Sequence, residues 1–208
     1  MGLGGTGGVP NKDGQTMMNI PNLLTLLRIG LIPVFMVIFY LPVPWARPVC
    51  ALVFGAAALT DLLDGYLARR LNQTSPLGAF LDPVADKLMV AIALVLLVQT
   101  DPRALLALPA AVIIGREITV SALREWMAEI GSRAKVAVSM AGKLKTTAQM
   151  IAIFLLILQG PMLGLPIDPI GIALLYIAAL LTLWSMVLYL RAAWPSLMGK
   201  GENQVSDS

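Results

Sequence analysis

The stretch TDLLDGYLARRLNQTSPLGAFLDPVADK, residues 60–87, decides how this chain is read. It carries four aspartates, Asp61, Asp64, Asp82 and Asp86, with glycines and arginines between them. The rest of the chain is too apolar for water. Of 208 residues, 58% are hydrophobic and 13% charged, and the mean hydropathy is +0.81. Soluble domains average ~45–50% apolar and ~25% charged, so the excess fits lipid as the solvent. An aspartate costs about 2.5–3.5 kcal/mol at the bilayer centre. Four of them in one short stretch need a cause.

Composition excludes several answers. There is no histidine and one cysteine, Cys50. An internal disulfide, a Ser-His-Asp triad and a histidine-ligated zinc site are all ruled out. A metal would have to be held mainly by oxygen, which favours Mg²⁺, Mn²⁺ or Ca²⁺. The pI near 9.2 and net charge of +3 do not point to nucleic acid. The basic residues lie at the ends of apolar segments and are not interleaved with aromatics in a soluble module.

The chain reads as an all-α integral membrane protein with six transmembrane helices, near 22–40, 48–69, 82–99, 104–124, 141–159 and 170–190. Residues 18–195 form one domain. Residues 1–17 are a glycine-rich disordered leader, and 196–208 a disordered polar tail. Pro42 and Pro44 break the first pair of segments, and Pro76 and Gly78 fall in the second link. The fourth-to-fifth link, about 125–140, is polar enough for a surface helix. Three of the links, near 41–47, 100–103 and 160–169, hold only Arg47 and Arg103. Most of the other Lys and Arg residues fall on the opposite side, which places both termini in the cytoplasm by the positive-inside rule.

Spacing gathers the aspartates. The second segment reaches the cytoplasmic side near Arg69, and Asp61 lies about 12 Å before it at ~1.5 Å rise per residue. The third segment runs back outward, with Asp82 read as an N-cap and Pro83 as the first helical residue. Asp61 and Asp64 are i,i+3, and Asp82 and Asp86 are i,i+4, so each pair projects from one helical face. Four carboxylates can then converge at the cytoplasmic mouth of the bundle, where two divalent cations would cancel their charge. Gly65 and Ala68 leave a shallow groove beside them, and Arg69 at its lip suits a phosphate. A diphosphate ligand fits this set. A cation carrier built on the same carboxylates is the other reading, but it has no use for the glycine–arginine spacing.

The pattern Asp61-x2-Asp64-Gly65-x2-Ala68-Arg69-x8-Gly78-x3-Asp82-x3-Asp86 resembles the signature of the CDP-alcohol phosphotransferases at every position. The likeness runs from about Asn19 to Trp194. The segments NIPNLLTLLR (19–28), ALREWMAE (122–129) and GKLKTTAQ (142–149) are similar to the bacterial branch that makes phosphatidylglycerophosphate. The resemblance implies a multi-pass enzyme of the bacterial inner membrane, usually a homodimer, with a cytoplasm-facing site for two Mg²⁺ or Mn²⁺ ions. It implies Asp61, Asp64, Asp82 and Asp86 as metal ligands, with Asp86 also the catalytic base. Gly65, Ala68, Arg69 and Gly78 would bind the cytidine diphosphate of CDP-diacylglycerol, joined by Asn22 and Thr25.

The acceptor that this branch uses, sn-glycerol 3-phosphate, is anionic and needs fixed positive charge. Arg116, about 18 Å along the fourth segment from Ala104, is a candidate, with Arg28, Lys135, Lys143 and Lys145. Each has a plainer reading. Arg116 could pair with a residue on another helix, although pairing with Glu117 is expected to be weak because i,i+1 side chains diverge. Lys143 and Lys145 could be topology charges, and Arg28 a headgroup contact. A sibling enzyme acting on inositol phosphate or serine also remains open.

Overall fold

The structure, a computed structural model, describes residues 20–71, 76–101, 104–130, 140–160 and 166–197. Within these, the side chains of 20–22, 62–71, 76–77, 79, 82, 140–143 and 195–197 are not described. The expected leader, the tail beyond Leu197 and Lys135 lie outside the described residues.

Among the described residues six helices follow one another: α1 Ile20–Phe39, α2 Ala46–Leu71, α3 Pro76–Thr100, α4 Ala104–Glu129, α5 Met140–Leu158 and α6 Ile167–Leu197. Three of them, over Pro83–Thr100, Ala104–Glu129 and Ile167–Trp194, are long and apolar enough to cross a membrane. Leu23–Phe39 and Leu144–Leu158 are shorter apolar stretches. Large apolar side chains such as Val37, Leu52, Leu108, Ile118 and Leu180 are more than half exposed. On a soluble protein such a surface would aggregate; around a helical bundle it is the lipid-facing belt. The chain is therefore a membrane all-α protein.

The interior mixes large and small residues. Phe35, Phe54, Leu94, Ile113, Ile153 and Leu175 fill the centre, while Ala51, Ala93, Ala152 and Ala178 let backbones approach. Small residues at helix contacts are how membrane bundles gain close packing without a hydrophobic drive between helices. Gly171 is the tightest case. A Cβ there would lie 2.9 Å from Leu156 Cγ and 3.4 Å from the Ala152 carbonyl. Gly171→Leu would gain roughly 1 kcal/mol of helix propensity. It would overpack the α5–α6 contact, at about 1–3 kcal/mol or more. The expected result is a lower thermal unfolding temperature in detergent; an unchanged one would mean that α5 and α6 are not locked at this point. At the same end of this pair, α5 stops where Gln159 (φ 50°) and Gly160 (φ 87°) turn left-handed, a helix end that glycine serves without strain.

The start of α3 departs from the sequence reading. Asp82 and Pro83 do not open the helix; Pro76 does, and Pro83 lies within it. Pro76 at the first helical position gives up an N–H that would be unpaired anyway. Pro83 forfeits an interior hydrogen bond, but it is exposed, at the wall of an apolar groove between α3 and α4. Pro76 and Gly78 thus belong to α3 and not to a link. Asp86 is ten residues inside the helix, about 15 Å from its start, rather than one turn. Likewise α4 continues to Glu129, through residues expected in the following link, and α6 runs from Ile167 to Leu197.

Candidate active site

Asp61 and Arg28 anchor one side of the site. Arg28, on α1, is 1% exposed, and its Nη1 donates to Asp61 Oδ1 on α2 at 2.8 Å. A guanidinium in that setting requires a carboxylate partner. One turn before it, Thr25 is also buried. Arg28 therefore points into the bundle, where it lines a small recess with Ala57, Ala58 and Asp86.

Asp86 stands between that recess and a larger polar pocket. Four helices meet at the pocket, which has a volume of about 200 Å³ and is lined by Asp86 and Lys87 of α3, Arg116 and Glu117 of α4, Lys145 of α5 and Ser185 of α6, among others. Asp61 lies within electrostatic reach of Asp86 from the other side. Among the described residues no three carboxylate, cysteine or histidine side chains converge as a metal centre. The side chains of Asp64 and Asp82, the other two expected ligands, lie outside the described set, as do those of Asn22, Gly65, Ala68, Arg69 and Lys143. The two visible carboxylates are hard oxygen donors on facing helices, the donor chemistry that Mg²⁺ or Mn²⁺ takes.

The cations are held by Glu117. Its Oε1 accepts from Arg116 Nη1 at 2.9 Å and from Lys145 Nζ at 2.8 Å. Arg116 Nη2 also donates to Ser185 Oγ at 2.8 Å. The pairing of neighbours Arg116 and Glu117 was expected to be weak. Lys145 and Ser185 fix the two groups from other helices, Lys145 at Glu117 and Ser185 at Arg116. Lys145 is buried within the bundle and paired with Glu117. Lys87 donates to Ser121 Oγ, which donates to the Glu117 carbonyl at 2.6 Å. Two buried polar atoms on this wall, Arg116 Nε and Gln149 Oε1, find no protein partner among the described residues. A buried polar group without a partner is costly, and a polar ligand in the pocket would relieve it.

The structure thus brings together Asp61, Asp86, Arg28, Arg116 and Lys145 of the sequence candidates. Gly78, half-buried in the first turns of α3, is eight residues before Asp86 on the same helix. Sequence reasoning passed over Lys87, Glu117, Gln149 and Ser185. Glu117 and Gln149 carried a usable signal, as polar groups in otherwise apolar helices.

Known proteins resemble this chain over most of its length. The family model described as CDP-alcohol phosphatidyltransferase matches residues 18–184. A protein of Pectobacterium atrosepticum, named CDP-diacylglycerol–glycerol-3-phosphate 3-phosphatidyltransferase, is 58% identical over 180 residues, 86% of this chain and 97% of its own. One of the same name from Pseudomonas fluorescens is 57% identical over 189 residues, 90% of this chain and 96% of its own. Another from Salmonella typhimurium is 56% identical over 180 residues, again 86% and 97%. With the aspartate pattern of α2 and α3 in place and the match spanning five of the six helices and most of the sixth, the chain belongs to the CDP-alcohol phosphatidyltransferase family.

Proposed function

We propose that the protein transfers a phosphatidyl group from CDP-diacylglycerol to sn-glycerol 3-phosphate, giving phosphatidylglycerophosphate and CMP for phosphatidylglycerol synthesis. The observation that carries this reading is the pocket in which Asp86 shares walls with Arg116 and Lys145. A carboxylate able to take a proton stands beside cations able to hold an acidic alcohol. The identity of 56–58% with relatives of that name, over nearly their whole length, supports the same acceptor.

In this reading Asp86 accepts the proton of the acceptor's 1-hydroxyl. The freed oxygen attacks the phosphorus that bears diacylglycerol, in line with the bond to CMP. That bond breaks, CMP departs with its electron pair, and the product stays in the bilayer. Asp61, Asp64, Asp82 and Asp86 would hold two Mg²⁺ or Mn²⁺ ions, which when bound supply neutralisation of the diphosphate charge. Gly65, Ala68, Arg69 and Gly78, with Asn22 and Thr25, would seat the cytidine diphosphate. Arg116 and Lys145 hold the acceptor phosphate, with Lys135 and Lys143 near its entry. Arg28, bonded to Asp61, positions that carboxylate from beneath rather than reaching the acceptor pocket. The chain would span the inner membrane six times as a homodimer, with the site and both termini at the cytoplasmic face. The distribution of Lys and Arg supports that orientation.

The acceptor cations provide a test. Hydrogen bonds to charged groups are worth about 1.5–3 kcal/mol, so losing one weakens binding roughly ten- to a hundredfold. Arg116→Ala and Lys145→Ala should each raise the KM for glycerol 3-phosphate by that factor and leave the KM for CDP-diacylglycerol little changed. Arg69→Ala should do the reverse. Equal damage to both substrates from the Arg116 and Lys145 variants would contradict the assignment and make the network purely structural. Release of CMP from CDP-diacylglycerol, dependent on the acceptor, separates the transferase from a cation carrier.

A further inference from the structure

Gln149 is the amide in the wall of the polar pocket. It lies on α5 four residues after Lys145, so the two share a helical face. It is 5% exposed, and its Oε1 has no hydrogen-bond partner among the described residues. Lys87, Arg116, Glu117, Lys145 and Ser185 around it are all engaged with protein groups. An amide in a membrane helix ordinarily bonds a neighbouring helix. The oxygen of Gln149 makes no such bond among the described residues, and the side chain lines the cavity that holds Asp86.

Resting on the transferase reading above, we propose that Gln149 is a specificity-determining residue that accepts a hydrogen bond from the central hydroxyl of the acceptor. Chemistry selects that group. An amide oxygen needs a donor, and a dianionic phosphate offers only acceptors. The donors of glycerol 3-phosphate are its two hydroxyls, and the 1-hydroxyl gives its proton to Asp86. The 2-hydroxyl is the one left. Position agrees with this choice. Gln149 stands one turn, about 6 Å, from Lys145, which holds the phosphate. Its neighbour Met150 lines both this cavity and the recess that Asp86 borders. The amide thus lies near both ends of the acceptor, as its central carbon does. A third contact also fixes the hand of the acceptor. Phosphate and 1-hydroxyl alone leave the central carbon free to face either way; a bond to the 2-hydroxyl does not.

The test uses the full chain in detergent micelles with CDP-diacylglycerol as donor. Three acceptors are compared: sn-glycerol 3-phosphate, its mirror image sn-glycerol 1-phosphate, and 3-hydroxypropyl phosphate, which lacks the central hydroxyl. The unaltered protein should lose roughly ten- to a hundredfold in kcat/KM on 3-hydroxypropyl phosphate, because the buried amide is then left bare. Gln149→Met keeps the length of the side chain and removes the amide. It should lose about as much on glycerol 3-phosphate, change little on 3-hydroxypropyl phosphate, and show a smaller preference between the mirror images. Gln149→Leu carries the same comparison if the methionine variant does not fold. An unaltered protein that uses the acceptors with and without the hydroxyl alike would overturn the role of Gln149 and leave the transferase reading standing. Variants that lose equally on both would do the same. If the unaltered protein releases no CMP in the presence of glycerol 3-phosphate, the transferase reading fails and the role of Gln149 with it.

Discussion

Asp86→Asn should lower turnover by roughly two to four orders of magnitude, the range set by loss of a general base. Asparagine keeps the size and one acceptor oxygen but cannot take a proton at neutral pH. The position explains why the loss should be specific. Asp86 opens onto the pocket of Arg116 and Lys145, the proposed acceptor site, while the residues proposed for the nucleotide lie on α1, α2 and the first turns of α3. Binding of CDP-diacylglycerol should therefore persist when it is measured directly on the variant. A single-turnover experiment with donor and enzyme premixed isolates the chemical step. Near-normal rates in that experiment would remove Asp86 from the role of base and leave it as a ligand only.

The second large effect is chelation. Exhaustive EDTA treatment should reduce activity to background, and Mg²⁺ or Mn²⁺ should restore it, because an all-carboxylate donor set suits hard cations. Asp61→Asn should raise the metal concentration needed for half-maximal activity. The contact between Asp61 and Arg28 sharpens this expectation. Arg28 is nearly fully buried and holds one carboxylate oxygen, so it fixes the orientation of Asp61 before any ion arrives. Arg28→Ala should mimic part of the Asp61→Asn defect in metal titration, although Arg28 lines no part of the acceptor pocket. Full turnover after EDTA treatment would contradict the two-metal reading.

Much of this was legible because lipid simplifies the physics. Apolar runs of this length can only be helices, and the breaks at Pro42, Pro44 and residues 100–103 separate them cleanly. The start of α3 was misread because Asp82-Pro83 is an N-terminal signature wherever a helix is free to begin. Here an earlier proline, Pro76, starts the helix, and Pro83 is tolerated on an exposed face. Of the aspartates, Asp61 and Asp86 were legible from position alone as carboxylates on the neighbouring helices α2 and α3; the side chains of Asp64 and Asp82 lie outside the described residues. The clamp around Glu117 was not. Lys145 reaches Glu117 from 28 residues away and Ser185 accepts from Arg116 across 69, and contacts across helices leave no period in the sequence. The plain expectation for Arg116 and Glu117 came from helix geometry alone; tertiary partners overrode it.

An acceptor panel tests the central claim most directly. Purified protein, radiolabelled CDP-diacylglycerol and Mg²⁺ are incubated with glycerol 3-phosphate, inositol phosphate or serine, and the lipid product and CMP are quantified. The account predicts phosphatidylglycerophosphate and stoichiometric CMP with glycerol 3-phosphate, and background with the other two. Equal or greater product with inositol phosphate or serine, or no CMP with any acceptor, would contradict it.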